Sequence, residues 1–182
     1  MALILGLTGE KLGGKDTVAE FLVAKFGAVH IRHSTVLDEI LNILDIPVSR
    51  RNEIDLGMAI RGRFGPGILN KAVAKRLRES KASLIVLNGI RFPEELQNAK
   101  DLGATILYVT APTEVRFKRF LKRQEKADDA MQTLEEFVHQ EQEPTEVQIP
   151  SIGGKADIRI DNNDSLEQLY ATVEVIVKKL LA

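Results

Sequence analysis

Short apolar runs alternate along this chain with longer amphipathic stretches, and that alternation predicts an α/β domain with a mostly parallel sheet. Five runs read as strands, at residues 2–7, 28–31, 84–88, 105–109 and 158–161. Several are apolar almost throughout rather than alternating, as strands covered by helices on both faces are. The helical signal is clearest at the C-terminus, where Leu166, Leu169, Tyr170, Val173, Ile176, Val177, Leu180 and Leu181 recur at helical spacing behind Ser165, the expected N-cap. Further helices are predicted over residues 15–26, 35–44, 52–64, 68–80, 94–102 and 113–124. The stretch 125–155 differs: it is polar, carries Pro144, Pro150, Gly153 and Gly154, and shows only a modest helical pattern at 134–138. It reads as a mobile insertion over a site rather than a second domain.

Directly after the first strand comes GLTGEKLGGKDT, in which residues 9–15 supply the G-x-x-x-x-G-K spacing of a P-loop, followed by a helix. Glycines let the backbone curl so that successive N–H groups face phosphate oxygens, and the helix that follows adds the positive end of its dipole. Lys15 then neutralises β- and γ-phosphate charge. The residue after this lysine, ordinarily a Ser or Thr that ligates magnesium, is Asp16, with Thr17 behind it. A carboxylate beside a triphosphate repels it unless a cation lies between them. Asp16 therefore either meets magnesium or turns away as a first-turn acid that favours the helix dipole; Thr17 is the candidate for the missing hydroxyl.

Composition narrows the chemistry. The 182 residues, 44% hydrophobic and 28% charged, have the balance of one ordinary globular domain. No apolar run approaches the roughly 18 residues of a membrane helix, and the N-terminus lacks the features of a secretory signal, so a cytoplasmic protein without a membrane partner is expected. The absence of cysteine removes disulfides, thiolate zinc sites and thiol nucleophiles. Net charge is −1. With aromatics at 5% and no tryptophan, neither a basic field nor a stacking platform for nucleic acid is expected.

The loop, with NGIRFPEELQNAKDLGATILYVTAP and IRIDNNDSLEQL, resembles the nucleoside monophosphate kinase group of P-loop proteins: adenylate-kinase-related proteins, dephospho-coenzyme A kinases and phage-type deoxynucleoside monophosphate kinases. The resemblance implies a three-layer α/β/α P-loop NTPase fold spanning 1–182. It implies a five-stranded parallel sheet, a helical acceptor-binding insertion at about 33–80 and a lid at about 119–155. It also implies ATP and Mg2+ as donor and cofactor, bound at Gly9, Gly13, Gly14, Lys15, Asp16 and Thr17, with Asn162 beside the donor base and Asp16 and Thr17 near the metal. Arg91 follows the third strand, where an arginine grips a transferring or acceptor phosphate bidentately. Arg116, Arg119 and Arg123 share one helix face and match in placement the lid arginines that converge on the phosphoryl group in flight, with Arg119 and Arg123 as the expected catalytic pair. Ser34 and Asp38 stand where relatives begin their acceptor helix, and Arg61 is the candidate anchor for an acceptor phosphate. Where many relatives carry a metal-ordering aspartate, this chain has Asn88.

The function expected is Mg-dependent phosphoryl transfer from ATP to a small acceptor, foremost a (deoxy)nucleoside monophosphate, with Lys15, Arg91, Arg119 and Arg123 stabilising charge. Dephospho-coenzyme A kinase-like activity is the alternative within that class. Asp16 and Asn88 support a rival of another class, a non-catalytic ATP-binding regulator. Monomer and homodimer both stay open.

Overall fold

The computed structural model describes residues 2–123 and 133–181; within helix α6 the Arg123 side chain lies outside the described part. Its elements run in the order β1 (Leu3–Thr8), α1 (Lys15–Phe26), β2 (Val29–Arg32), α2 (His33–Ile43), α3 (Arg50–Phe64), α4 (Ile68–Glu79), β3 (Leu84–Asn88) and α5 (Pro93–Asp101). They continue with β4 (Thr105–Thr110), α6 (Thr113–Arg123), α7 (Leu134–His139), a 3-10 turn (Gln140–Gln142), α8 (Ile149–Gly153), β5 (Ile158–Asp161) and α9 (Leu166–Leu181).

All strand pairs are parallel and the order is β2-β3-β1-β4-β5. This is a P-loop NTPase α/β fold. The inner strands β1, β3 and β4 are the nearly uninterrupted apolar runs, because helices cover both of their faces. One face packs Leu5, Leu7, Val86 and Val109 against Val18 and Leu22 of α1 and Val173 and Val177 of α9. The other packs Ile85, Leu87 and Ile106 against Val73 and Leu77 of α4, Leu96 and Ala99 of α5, and Ile152 of α8. The edge strands β2 and β5 bury only Ile31 and Ile160, respectively, which is why their runs are short and mixed.

The chain leaves β1 for the β2 side and returns past β1 to β4, so the strand order reverses beside β1. Open α/β sheets bind ligands at such a switch point. Leu7 pairs with Asn88, and the amides of Gly89 and Ile90 both donate to Leu7 O, at 3.1 and 3.0 Å. The loop after β1 therefore faces the turn after β3.

Two expectations are revised. Helix α2 begins at His33, directly after β2 and without a side-chain cap, so no capping signal marks its start. The supposed mobile insertion is, over residues 133–155, built into the molecule. Thr133 and Glu136 form a reciprocal capping box for α7, and Phe137, Ile149 and Ile152 are each no more than 2% exposed. Residues 124–132 of the lid expected at about 119–155 lie outside the described part.

Candidate functional site

The loop between β1 and α1 is shaped by close approach. Gly9 has φ +151° and Gly14 φ +108°, both strained for a residue with a side chain. A Cβ on Gly9 would stand 2.0 Å from Val109 O, and one on Gly14 would stand 2.2 Å from Asn162 Nδ2. Gly13 N donates to Glu10 O at 3.0 Å. Glu10 ties the loop to β4 by accepting from Thr110 Oγ1 at 2.8 Å and from the Tyr108 hydroxyl.

The Asn162 backbone N–H donates to Thr110 O at 2.7 Å, and the buried side chain donates from Nδ2 to Gly13 O at 2.9 Å. Asn162, expected beside a donor base, holds the loop carbonyl of Gly13 through its side chain. Arg119 likewise donates to Leu12 O at 3.2 Å and to Asn162 O at 2.8 Å; it braces the loop from outside, with its guanidinium on carbonyls. Arg116 is buried and donates to Ala111 O, Lys11 O and Thr113 Oγ1, and pairs with Glu141. The arginine face of α6 thus ties the loop to its surroundings at Arg116 and Arg119, while the Arg123 side chain lies outside the described residues.

Lys15 opens α1 and points back along the loop. It is 6% exposed, and its Nζ donates to Glu10 O at 3.4 Å. Burial, followed by the positive charges of Arg91 and Arg50, pushes its pKa down from 10.5 to about 8, although Asp16 and Glu10 oppose the shift. Asp16 Oδ1 accepts from Asn88 Nδ2 at 2.7 Å, so the two unusual residues are in direct contact. That bond fixes the Asn88 amide with its Oδ1 buried and without a partner among the described residues. Thr17, one residue further along α1, is half-buried.

A cavity of about 300 Å³ opens from this point toward α2 and α3, lined on one side by Lys15, Asp16, Asn88 and Arg91 and on the other by His33, Ser34 and Arg61. Asp38 does not line it, and its Oδ1 is buried without a hydrogen bond among the described residues. Four lining residues present a buried polar atom with no partner among the described residues: His33 Nδ1, Arg61 Nε, Asn88 Oδ1 and Thr145 Oγ1. Such atoms call for a polar ligand or water. His33 is set by Asn70, whose Oδ1 lies 3.1 Å from His33 Nε2 while Nδ2 donates to Glu94 O.

Three carboxylates that motif reading did not single out for the site organise these cations. Glu95 is 2% exposed; it accepts from Arg61 Nη2 at 2.7 Å and from the Arg91 backbone N–H at 2.9 Å. Arg61, expected to anchor an acceptor phosphate, is therefore already charge-paired, with the Phe92 ring centroid 4.4 Å from its guanidinium carbon. Glu146 pairs with Arg91 and, at 3.0 Å, with Arg50; Glu143 lies 3.4 Å from Arg50. Burial, then the charge of Arg50, lowers the Arg91 pKa.

No family model matches the chain. It is similar to a UPF0200 protein of Pyrococcus abyssi, 27% identical over 98% of this chain and 97% of the relative. It is also similar to a UPF0200 protein of Sulfurisphaera tokodaii, 28% identical over 98% and 97%. Among solved structures, shikimate kinase from Bacteroides thetaiotaomicron superposes with a TM-score of 0.62 at 19% identity, over 99% of both chains. Shikimate kinase from Acinetobacter baumannii in complex with shikimate gives 0.61 at 16% identity, over 100% of this chain and 94% of that one. The fold is that of P-loop kinases.

Proposed function

We propose that the chain is a Mg-dependent phosphotransferase that moves the γ-phosphoryl group of ATP to a small acceptor, foremost a (deoxy)nucleoside monophosphate. The observation that carries this reading is Lys15. Its ammonium is buried at a loop–helix junction with one 3.4 Å bond to a carbonyl, next to two arginines that disfavour its charge. An anion is the partner that such a group lacks. The loop around it leaves no room for side chains at Gly9 and Gly14, as a phosphate cradle requires.

In this reading the triphosphate lies over the loop from Gly9 to Thr17, with Gly13 and Gly14 at its tightest bend. Lys15 holds its terminal phosphates, and Arg91 faces the group in transfer. Asp16 and the Asn88 Oδ1, whose side chains are in contact, would hold magnesium, with the Thr17 hydroxyl the further candidate; such an ion takes one or two protein ligands and completes its shell with phosphates and water. The bound ion would neutralise developing charge on the bridging phosphate oxygens. Ser34 and His33 lie on the acceptor side. Transfer of this kind needs alignment and charge stabilisation rather than a covalent protein intermediate, and the loop, Lys15 and the nearby arginines supply both. Arg119 supports the site by fixing the loop carbonyl of Leu12; Arg123 stays a candidate for direct contact from α6.

The test is ADP production from Mg-ATP with nucleoside monophosphates, dephospho-coenzyme A and shikimate offered one at a time. Shikimate belongs in the panel because structures of similar fold are shikimate kinases. Turnover with one acceptor identifies the substrate. ATP binding with silence across the panel supports the second reading, a nucleotide-binding regulator, which the pairing of Arg91 with Glu146 also favours.

A further inference from the structure

Glu146, the carboxylate that holds two of the cations at this end of the sheet, comes from outside the sheet-and-helix framework. It lies in the connection between the Gln140–Gln142 turn and α8, and its side chain is 5% exposed. It accepts from Arg50 Nη2 at 3.0 Å and from Arg91 Nη1, while Arg91 Nη1 also reaches Thr145 O at 3.4 Å. Arg50 starts α3 and Arg91 follows β3, so one carboxylate bridges two otherwise separate elements. Arg50 and Arg91 both line the cavity that contains Lys15.

Glu95 offers a contrast. It is a residue of α5, and its two oxygens serve Arg61 and the Arg91 backbone at once. Removing it from those partners would break a helix-borne, fully enclosed arrangement. Glu146 makes its contacts from the turn between the Gln140–Gln142 segment and α8, outside any helix or strand.

From these contacts the geometry points to an anion subsite formed by Arg50 and Arg91 beside Lys15, where Glu146 holds the place of a phosphate group until a phosphate-bearing ligand displaces it. A carboxylate and a phosphate both offer a guanidinium two oxygens in one plane, but phosphate adds a third oxygen and up to a second charge. Without an anion, Arg50, Arg91 and Lys15 would repel one another; Glu146 relieves that repulsion in the unliganded chain. Thr145 Oγ1, buried without a partner and lining the same cavity, adds a hydroxyl donor for the incoming group. The cost of displacing Glu146 falls on every ligand alike, so only a group that holds the two arginines more strongly than the carboxylate does, as phosphate can, occupies the subsite. The subsite rests on the phosphotransferase reading only for which phosphate it receives, that of the donor or that of the acceptor.

Titration calorimetry of the full chain with inorganic tripolyphosphate, and separately with AMP, tests it. Glu146→Gln keeps the side-chain shape and removes the competing charge. It should bind at least one of the two ligands about tenfold more tightly than the wild type, and Arg50→Ala should bind that ligand about tenfold more weakly, the scale of one charge-assisted hydrogen bond. A gain with tripolyphosphate assigns the subsite to the donor, a gain with AMP to the acceptor. Unchanged or weaker binding of both ligands by Glu146→Gln overturns the proposal. If that variant does not fold, Glu146→Asp, which shortens the carboxylate and loosens both pairs, is read by the same criterion. The two ideas fail separately: tighter binding without turnover on any acceptor keeps the subsite and removes the kinase, and turnover without tighter binding does the reverse.

Discussion

Replacing Lys15 with methionine should make the unliganded protein more stable while abolishing its affinity for polyphosphate. Methionine keeps the length of the side chain and suits the start of a helix, so the change removes a charge and little packing. Burial, Arg91 and Arg50 together depress the lysine from 10.5 to about 8. At about 1.36 kcal/mol per pKa unit, that depression corresponds to about 3 kcal/mol by which the folded state disfavours the ammonium. Below pH 8 the group is charged in both folded and unfolded chains, and the whole penalty is present. As pH rises through 8 the folded chain releases the proton while the unfolded chain keeps it up to 10.5, so wild-type stability rises across that window. The methionine variant should therefore be about 3 kcal/mol more stable at pH 7, with an advantage that shrinks toward pH 10.5. Urea unfolding at pH 7, 9 and 10 at constant ionic strength measures this. Saturating tripolyphosphate should raise the wild-type midpoint and leave the variant unmoved, because only a state that binds the ligand is stabilised by it. A variant that is less stable than the wild type at pH 7, or whose advantage grows with pH, would refute the argument that the lysine waits for an anion.

Two further substitutions probe the surroundings. Glu95→Gln strips the counter-charge from Arg61, whose side chain is 12% exposed; the expected loss is about 3 kcal/mol in urea unfolding, the usual result of orphaning a buried charge, and a loss below about 1 kcal/mol would show that the pair contributes no more than a surface bridge. Asn88→Asp sets a second carboxylate against Asp16, now 2.7 Å from the amide nitrogen. It should lower the melting temperature without metal, recover on adding Mg2+, and lose that dependence when combined with Asp16→Ser; a metal-independent melting temperature in the single variant would exclude an ion from this position.

The fold was largely legible because its signals are local. The apolar runs of β1, β3 and β4, the periodic face of α9 and the G-x-x-x-x-G-K spacing each lie within a few residues of sequence. The second strand was placed one residue early, at 28–31 rather than Val29–Arg32, because an edge strand carrying His30 and Arg32 has little apolar contrast to mark its ends. Residues 133–155 read as a loop since Phe137, Ile149 and Ile152 are too far apart to show a period, although each reaches the interior. The partners in the site were hidden for a related reason. Glu95 meets Arg61 across 34 positions, Glu146 meets Arg91 across 55, and Glu10 meets Tyr108 across 98. An arginine can be recognised as a candidate phosphate ligand from its place after a strand, but whether it is already neutralised depends on chain segments that only the tertiary structure brings near. That is why Arg61 reads as available although Glu95 neutralises it, and why the pairing of Arg50 with Glu143 and Glu146 leaves no trace in the local sequence.

The same contacts bear on Asp16 and Asn88, the two residues by which the chain departs from the pattern of the kinases that its sequence resembles. With a hydroxyl at position 16 and a carboxylate at position 88, the single negative charge of such a site would come from β3. Here it comes from α1, and the amide stands on β3. Because Asn88 Nδ2 donates to Asp16, its Oδ1, in the lining of the cavity, is left without a partner among the described residues. The crevice thus still holds one carboxylate and one neutral oxygen, now on exchanged elements. Either substitution alone would leave two carboxylates or none; together they keep the one carboxylate that the proposed magnesium site would use. The exchange also brings the carboxylate to the end of the loop, beside Lys15, where it opposes the depression of the lysine pKa. Asp16 therefore helps to keep Lys15 protonated at neutral pH, against a surrounding set of arginines that would otherwise push the lysine toward its neutral form.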